Sequence, residues 1–256
     1  MTTASPLRIE RDGGLLRVTL TRPDRRNALD AELIAALTAA FSNVGDARAV
    51  VLSGEGDSFC AGADVEWMRA AADLSYEENV ADSTRLRRMY EAIDNCPAPV
   101  VAPVQRYVLG GGVGLVCCAD AVVASDDAVF AFSEVKLGIL PAVISPFALA
   151  RIGPGAARRY FVTGERFGAD VALQIGLVHE VVARDALNEA VERVVAEILG
   201  AGPEATRHAK RLVLDAPLDG LETARRIAER RTSDEGQEGL RAFLERRKPD
   251  WTAGAG

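Results

Sequence analysis

The sequence predicts a mixed α/β fold whose C-terminal part is helical. Short apolar segments typical of buried strands alternate with helical segments and glycine-containing turns up to Gly155. From Gly155 onward the pattern is mainly helical. A chain of 256 residues, 48% hydrophobic and 26% charged, is long enough for one large core with a small helical appendage.

The order of elements indicates a layered, spiral or doubly wound core. The predicted strands are residues 7–10, 15–21, 49–53, 100–104, 121–124, 129–132 and 178–182. The first two flank Asp12-Gly13-Gly14 and therefore form a hairpin. The first predicted helix, residues 31–41, is capped by Asp30, and residues 113–118 are predicted to start an apolar helix. The other predicted helices are residues 77–95, 156–163, 169–175, 185–199, 203–214, 218–235 and 238–247.

Composition excludes several classes of protein. The net charge of -7 argues against a nucleic-acid binder, because phosphate neutralisation needs a basic surface. The four cysteines show no CxxC spacing, so neither a disulfide framework nor a metal site is expected. No apolar run is long enough to span a bilayer, and the first residues lack the apolar segment of a signal peptide. We expect a cytoplasmic protein with no membrane partner.

Common catalytic motifs are absent from the sequence. It has no GxSxG, no HExxH and no GxxxxGK[ST], which removes serine hydrolases, zincins and P-loop NTPases. Leu115 stands where the last glycine of a GxGxxG motif would fall. Its two histidines, His179 and His208, lie beside no candidate nucleophile, and His179 is interpreted as structural.

A glycine turn is the main candidate for chemistry. Gly110, Gly111 and Gly112 follow a buried strand and lead into an apolar helix. Such a turn exposes unpaired N–H groups, which can hold an anion or the negative charge that develops on a carbonyl oxygen. A second loop with little side chain, around Ala61 and Gly62, follows another strand and could supply a second donor.

Two further features are candidates. Glu134 lies in an apolar segment, where desolvation would raise its pKa toward a value useful for proton transfer, although Lys136 is close enough in sequence to pair with it. The basic loop with Arg22, Arg25 and Arg26 could receive a phosphate or could be a solvated surface.

Five segments in this order resemble the crotonase (enoyl-CoA hydratase/isomerase) superfamily across nearly the whole chain. They are RPDRRNALD, SFCAGAD, PVVAPVQRYVLGGGVGLVCCAD, FAFSEVKLGILPAVISPFALARIG and RRYFVTGERFGADVALQIGLVHEVV. The resemblance implies a spiral of ββα units in residues 1–200 and a helical trimerisation region in residues 201–256, assembled as a trimer or dimer of trimers. It implies an acyl-CoA substrate and no separate cofactor, since coenzyme A is part of the substrate.

The resemblance also implies roles for individual residues. Glu134 matches the acid/base, and the N–H groups of Ala61 and Gly111 match the pair that holds the thioester oxygen. The residues that match substrate-binding positions are Arg22, Arg25, Arg26, Ala63, Asp64, Gly110, Gly114, Phe243 and Lys248.

One departure from the family's pattern affects the expected reaction. Typical short-chain hydratases carry a first glutamate where this chain has Gly114, so Glu134 is the one carboxylate that remains. We interpret Gly114 as leaving space for a branched or carboxylated acyl group, as in bacterial 3-methylglutaconyl-CoA hydratases of leucine degradation, with Lys136 and Arg106 as candidate cations for the carboxylate. The alternatives are an enoyl-CoA isomerase that uses Glu134 alone and an acyl-CoA binding protein without turnover.

Overall fold

The computed structural model describes residues 5–252 and contains two β-sheets. The strands are β1 (Leu7–Asp12), β2 (Leu15–Leu20), β3 (Ala49–Gly54), β4 (Val100–Val104), β5 (Tyr107–Leu109), β6 (Ala121–Ser125), β7 (Val129–Ala131), β8 (Phe167–Gly168) and β9 (Glu180–Val182). The larger sheet has the order β1-β2-β3-β4-β6-β9, and all its pairs are parallel except the β1–β2 hairpin. The smaller sheet has the order β5-β7-β8.

Helices cover the sheets and fill the C-terminal region. They are α1 (Ala31–Ser42), α2 (Val65–Ala71), α3 (Tyr76–Asp94), α4 (Gly111–Cys118), α5 (Ser145–Thr163), α6 (Ala169–Gln174), α7 (Leu187–Gly200), α8 (Pro203–Leu214), α9 (Gly220–Thr232) and α10 (Asp234–Glu245). Within the described residues, none of these helices is both long and apolar enough to cross a membrane.

The central strands of the larger sheet are buried on both faces, which explains why β3, β4 and β6 are almost entirely apolar. Side chains alternate along a strand, so Val50 and Leu52 of β3 join the core that contains α1, α3 and α4. Val51, one residue away, packs with Val191 and Val195 of α7 on the opposite face. Both faces of a parallel sheet are therefore covered by helices.

Most of the predicted elements are present. The hairpin is confirmed, and the Asp30 carboxylate caps α1 by accepting a hydrogen bond from the Leu33 N–H at 2.9 Å. The loop around Ala61 and Gly62 ends at Asp64, which caps α2, a helix that the sequence analysis did not predict. The prediction missed β5, β8 and the first half of α5, which is kinked at Gly153. It also extended the predicted 218–235 helix across the break at Ser233.

A buried lysine, Lys210, and a half-buried arginine, Arg48, connect the C-terminal helices to the core. Lys210 of α8 lies 2.7 Å from the Asp120 carboxylate, which also accepts the Val100 N–H at the start of β4. Arg48 donates to the carbonyl oxygens of Ala201 and Trp251, both at 3.0 Å. The predicted division after residue 200 lies between α7 and α8.

Candidate active site

The glycine turn and Glu134 meet because they follow neighbouring parallel strands. Strands β5 and β7 pair in parallel with Leu109 opposite Ala131, so the residues after each strand leave the same edge of the sheet. The Gly110 N–H donates to the Ala131 carbonyl at 2.8 Å. A Cβ atom built on Gly110 would lie 3.5 Å from Oε1 of Glu134. The structure therefore brings these two predicted site residues into contact.

The second glycine-containing loop lies on the other side of the same turn. Cys60 pairs with Val108 of β5, and the Leu109 N–H donates to the Cys60 carbonyl at 3.0 Å. The loop then turns at Gly62, whose φ of +96° is unfavourable for other residues. A Cβ atom on Gly62 would lie 3.7 Å from the Gly111 nitrogen. Both backbone loops predicted from the sequence therefore converge at one place.

The N–H groups of Gly111 and Ala63 are free donors at this place, one from each loop. Neither donates a hydrogen bond to any acceptor within residues 5–252. Gly111 is the first residue of α4, where N–H groups have no partner inside the helix. The prediction of Ala61 as the second donor is wrong, because the Ala61 N–H donates to the Arg26 carbonyl at 3.0 Å. Two residues along, the N–H group of Ala63 is free in the same loop.

Glu134 is partly buried with one carboxylate oxygen unsatisfied. It begins a short 3-10 helix, Glu134–Leu137, directly after β7. Its Oε2 is buried and has no hydrogen-bond partner in the described part of the chain. Burial raises the pKa of Glu134 above the ordinary value, because the charged form loses its hydration. Lys136, which is close enough in sequence to pair with Glu134, is exposed and forms no ion pair with it. Glu134 is therefore a half-buried carboxylate with a raised pKa and no cation beside it among residues 5–252.

The space beside Gly114 is already filled. A Cβ atom on Gly114 would lie 2.5 Å from Cγ2 of Ile144 and 2.8 Å from Cζ of Tyr90. The prediction that Gly114 leaves room for an acyl group is therefore wrong, since protein side chains occupy the position. Tyr90, which the sequence analysis did not select, also donates its hydroxyl hydrogen bond to the Gly111 carbonyl at 2.9 Å.

The comparisons with known proteins agree with this geometry. The chain matches the enoyl-CoA hydratase/isomerase family over residues 10–254. It belongs to that family. The crotonyl-CoA hydratase of Syntrophomonas wolfei is 32% identical over 253 residues, which cover 95% of this chain and 96% of that protein.

Solved structures of similar proteins cover nearly the whole chain as well. An enoyl-CoA hydratase from Shewanella pealeana has a TM-score of 0.90 at 38% identity, with 96% of each chain covered. AtuE of Pseudomonas aeruginosa has a TM-score of 0.92 at 38% identity, with 96% of this chain and 99% of that chain covered. The predicted crotonase fold and membership of this enzyme family are confirmed.

Two residues expected to touch substrate have structural roles in this family member. The Arg22 guanidinium pairs with both oxygens of Asp30 and donates to the Ala28 carbonyl at 2.7 Å, so it is held inside the loop. The buried Asp64 carboxylate accepts the Glu66 and Trp67 N–H groups and pairs with Arg25 at 3.5 Å. Neither side chain is available for a ligand.

The remaining basic residues of the loop and turn are exposed. The Arg25 side chain is 52% exposed, and the Arg26 guanidinium lies 5.2 Å from the centre of the Tyr107 ring. Arg106 is also exposed and lies over the same ring at 5.3 Å, and Lys136 is exposed, so the structure gives no inward-facing cation at either position.

Two predicted coenzyme A contacts lie on the C-terminal surface. Phe243 on α10 is 80% exposed, and Lys248 follows the helix and is exposed too. Helix α10 packs against α8 and α9. Their contact with coenzyme A stays a prediction.

His179 has the structural role that the sequence indicated. Its Nδ1 accepts the Val122 N–H at 2.9 Å, and its Nε2 lies 3.0 Å from the Arg151 guanidinium. It borders a cavity of about 900 Å³ between α4 and α8, whose lining contains Asp120 and Lys210 but none of the predicted site residues. This cavity is therefore separate from the glycine turn.

Proposed function

We propose that the protein adds water across the 2,3 double bond of an enoyl-CoA thioester, with Glu134 as its acid/base. The observation that carries the proposal is the buried, unpartnered Oε2 of Glu134 beside the turn that presents Gly111. An unsatisfied buried polar atom costs free energy, so its retention is best explained by a ligand or water that occupies the site during function.

In this reaction Glu134 transfers the proton, and two backbone N–H groups bind the thioester oxygen. Water attacks C3 while Glu134 accepts its proton, and the electrons of the double bond move toward the thioester oxygen. The N–H groups of Ala63 and Gly111 bind the oxygen as it gains charge. Glu134 then returns the proton to C2, which completes the addition of one water molecule.

A branched or carboxylated acyl group, such as that of 3-methylglutaconyl-CoA in leucine degradation, is the proposed substrate class. Its support is the similarity of residues 133–153 to hydratases of that kind. The structure adds no further support for this substrate class, because the space beside Gly114 is filled and both Lys136 and Arg106 are exposed. Because the Syntrophomonas wolfei relative is named a crotonyl-CoA hydratase, crotonyl-CoA is the second substrate to test.

Isomerisation is the second candidate, and one observation favours it. Tyr90 and Ile144 fill the position of the family's first glutamate, which leaves Glu134 as the carboxylate of the site. A single carboxylate can move a proton between the α and γ carbons of a 3-enoyl thioester without adding water. An acyl-CoA binding protein without turnover is the third possibility.

We propose a trimer or dimer of trimers as the functional assembly. Large apolar side chains on α8 to α10 are exposed in the single chain, among them Val213, Leu221, Phe243 and Leu244. Exposed apolar surface of this kind favours contact with another subunit. In such an assembly, Phe243 and Lys248 of one subunit would contact the coenzyme A bound to its neighbour, while Arg25 and Arg26 would lie along the nucleotide.

Mass spectrometry separates these functions. The protein is incubated with 3-methylglutaconyl-CoA, crotonyl-CoA and a 3-enoyl-CoA in separate reactions. Gain of one water that Glu134→Gln abolishes supports hydration and names the preferred acyl group. Migration of the double bond without gain of water supports the isomerase. Binding of all three esters without reaction supports the binding protein.

A further inference from the structure

We propose that Tyr90 is a positioning residue of the thioester site, which it serves by holding the first turn of α4 through the Gly111 carbonyl. This inference rests on the proposed oxyanion role of the Gly111 N–H. Tyr90 itself lies on α3, away from the glycine turn in sequence, and its side chain is fully buried.

The first argument is the hydrogen bond. The Tyr90 hydroxyl donates to the Gly111 carbonyl at 2.9 Å, and a Cβ atom on Gly111 would lie 3.0 Å from the same hydroxyl oxygen. Gly110, the preceding residue, has a φ of +47° and no side chain to restrain it. Tyr90 therefore supplies a side-chain restraint to a turn that is built from glycine backbone.

The second argument is the rigidity of the ring. The Tyr90 ring packs against Gly114, where a Cβ atom would clash with it. It also lies 5.9 Å from the Phe147 ring, and the Arg87 guanidinium lies 5.1 Å from the centre of the same Phe147 ring. The hydroxyl is thus presented to Gly111 from a ring held by α3, α4 and α5, and a donor fixed in this way costs little reorganisation during reaction.

The protonation state of the phenol agrees with this role. Burial raises the pKa of Tyr90 well above its ordinary value, because the charged phenolate would lose its hydration. The phenol therefore stays protonated and donates at every working pH. It does not replace the missing glutamate as a base, so it acts through Gly111 and leaves proton transfer to Glu134.

The test compares Tyr90→Phe with Tyr160→Phe in the full-length protein. Tyr160 is a matched control, because it is also buried but its hydroxyl has no hydrogen-bond partner within residues 5–252. Three quantities are measured: kcat and KM for the best substrate, and the red shift in the absorption of bound 2,4-hexadienoyl-CoA. The red shift reports polarisation of the thioester carbonyl and needs no turnover. Tyr90→Met, which removes the hydroxyl and keeps most of the buried volume, is the second variant if Tyr90→Phe does not fold.

We expect Tyr90→Phe to lower kcat about tenfold, to leave KM within about twofold and to reduce the red shift, while Tyr160→Phe changes none of these. Tenfold corresponds to the net contribution of one hydrogen bond. Unchanged kcat and red shift, or a loss of stability with both retained, would overturn the proposal.

The same measurements distinguish failure of the Tyr90 proposal from failure of the proposed hydration. A wild-type protein that turns over no ester but shows a red shift that Tyr90→Phe reduces supports the role of Tyr90 and removes the hydration proposal. A wild-type protein that binds the ester without any red shift overturns both.

Discussion

The ring of Tyr90 lies where a side chain on residue 114 would be. A Cβ atom on Gly114 would be 2.8 Å from Cε1 and Cζ of Tyr90, too close for any side chain at residue 114 to fit without movement of a neighbour. Helix α3 thus closes the position at which other members of the family carry a glutamate. Residue 114 therefore has no room for a second carboxylate beside Glu134.

Gly114→Ala tests this packing. We expect the free energy of unfolding to fall by about 1–3 kcal/mol, because an added methyl group overpacks the contact between Tyr90 and Ile144. Urea unfolding of both proteins measures the difference. Gly155→Ala is the control, since Gly155 is also in a helix and nothing lies within 4 Å of its added Cβ atom. Equal stability of Gly114→Ala and wild type would show that the space beside Gly114 is open.

Glu134→Gln should affect rate and stability in opposite directions. We expect kcat to fall by about 10²–10⁴, the usual contribution of a general acid/base. The folded-state pKa of Glu134 is raised, so the folded protein binds more protons than the unfolded chain between the two pKa values. Stability is therefore lost as pH rises through this window, and the glutamine variant should unfold at a higher urea concentration than wild type at neutral pH.

The same pKa shift predicts the pH profile. Glu134 must be ionised to accept a proton from water, so kcat/KM should fall as pH is lowered through its pKa, at a pH above the ordinary glutamate value of about 4.3. Steady-state kinetics across pH measures this fall in kcat/KM. A fall centred at or below the ordinary pKa of glutamate would exclude Glu134 as a desolvated base.

Proline substitution tests which alanine supplies the second oxyanion donor. Ala63→Pro removes a free N–H and should lower kcat by about 10²–10³. Ala61→Pro instead removes the donor to the Arg26 carbonyl and should reduce the free energy of unfolding by about 1–3 kcal/mol, with a smaller effect on kcat. Kinetics and urea unfolding of both variants decide between them. The reverse pattern would assign the donor to Ala61.

Lys210→Met tests the attachment of the C-terminal helices. The Lys210 side chain is 5% exposed and pairs with Asp120, so its loss should reduce the free energy of unfolding by about 3 kcal/mol. Arg69→Met breaks an exposed pair with Glu66 and should cost less than about 1 kcal/mol. Similar effects of the two substitutions on urea unfolding would show that the pair between Lys210 and Asp120 contributes little to holding the C-terminal helices on the core.

The sequence was sufficient for the features that depend on local pattern. Alternating strand, turn and helix segments predict the hairpin and α1, and the two glycine-containing loops that the sequence singles out lie next to each other in the structure. Parallel pairing of β5 with β7 places Gly110 and Glu134 at the same sheet edge, and the bridge between Cys60 and Val108 brings the second loop beside them.

Features that depend on distant contacts were not predictable. Whether the Ala61 or the Ala63 N–H is free depends on the Arg26 carbonyl, which comes from an earlier loop. No local pattern distinguishes Tyr90 from the other residues of α3, and nothing close to Gly114 in sequence indicates that α3 fills the space beside it. Arg22 likewise looked free until its pairing with Asp30 was visible.

The most direct test of the central claim is the mass of the product formed from an enoyl-CoA ester by the wild-type protein and by Glu134→Gln. The account predicts that the wild-type product is heavier than the substrate by one water and that the variant binds the same ester without converting it. A product of unchanged mass with a moved double bond would contradict hydration, and water uptake that persists in Glu134→Gln would contradict the role of Glu134.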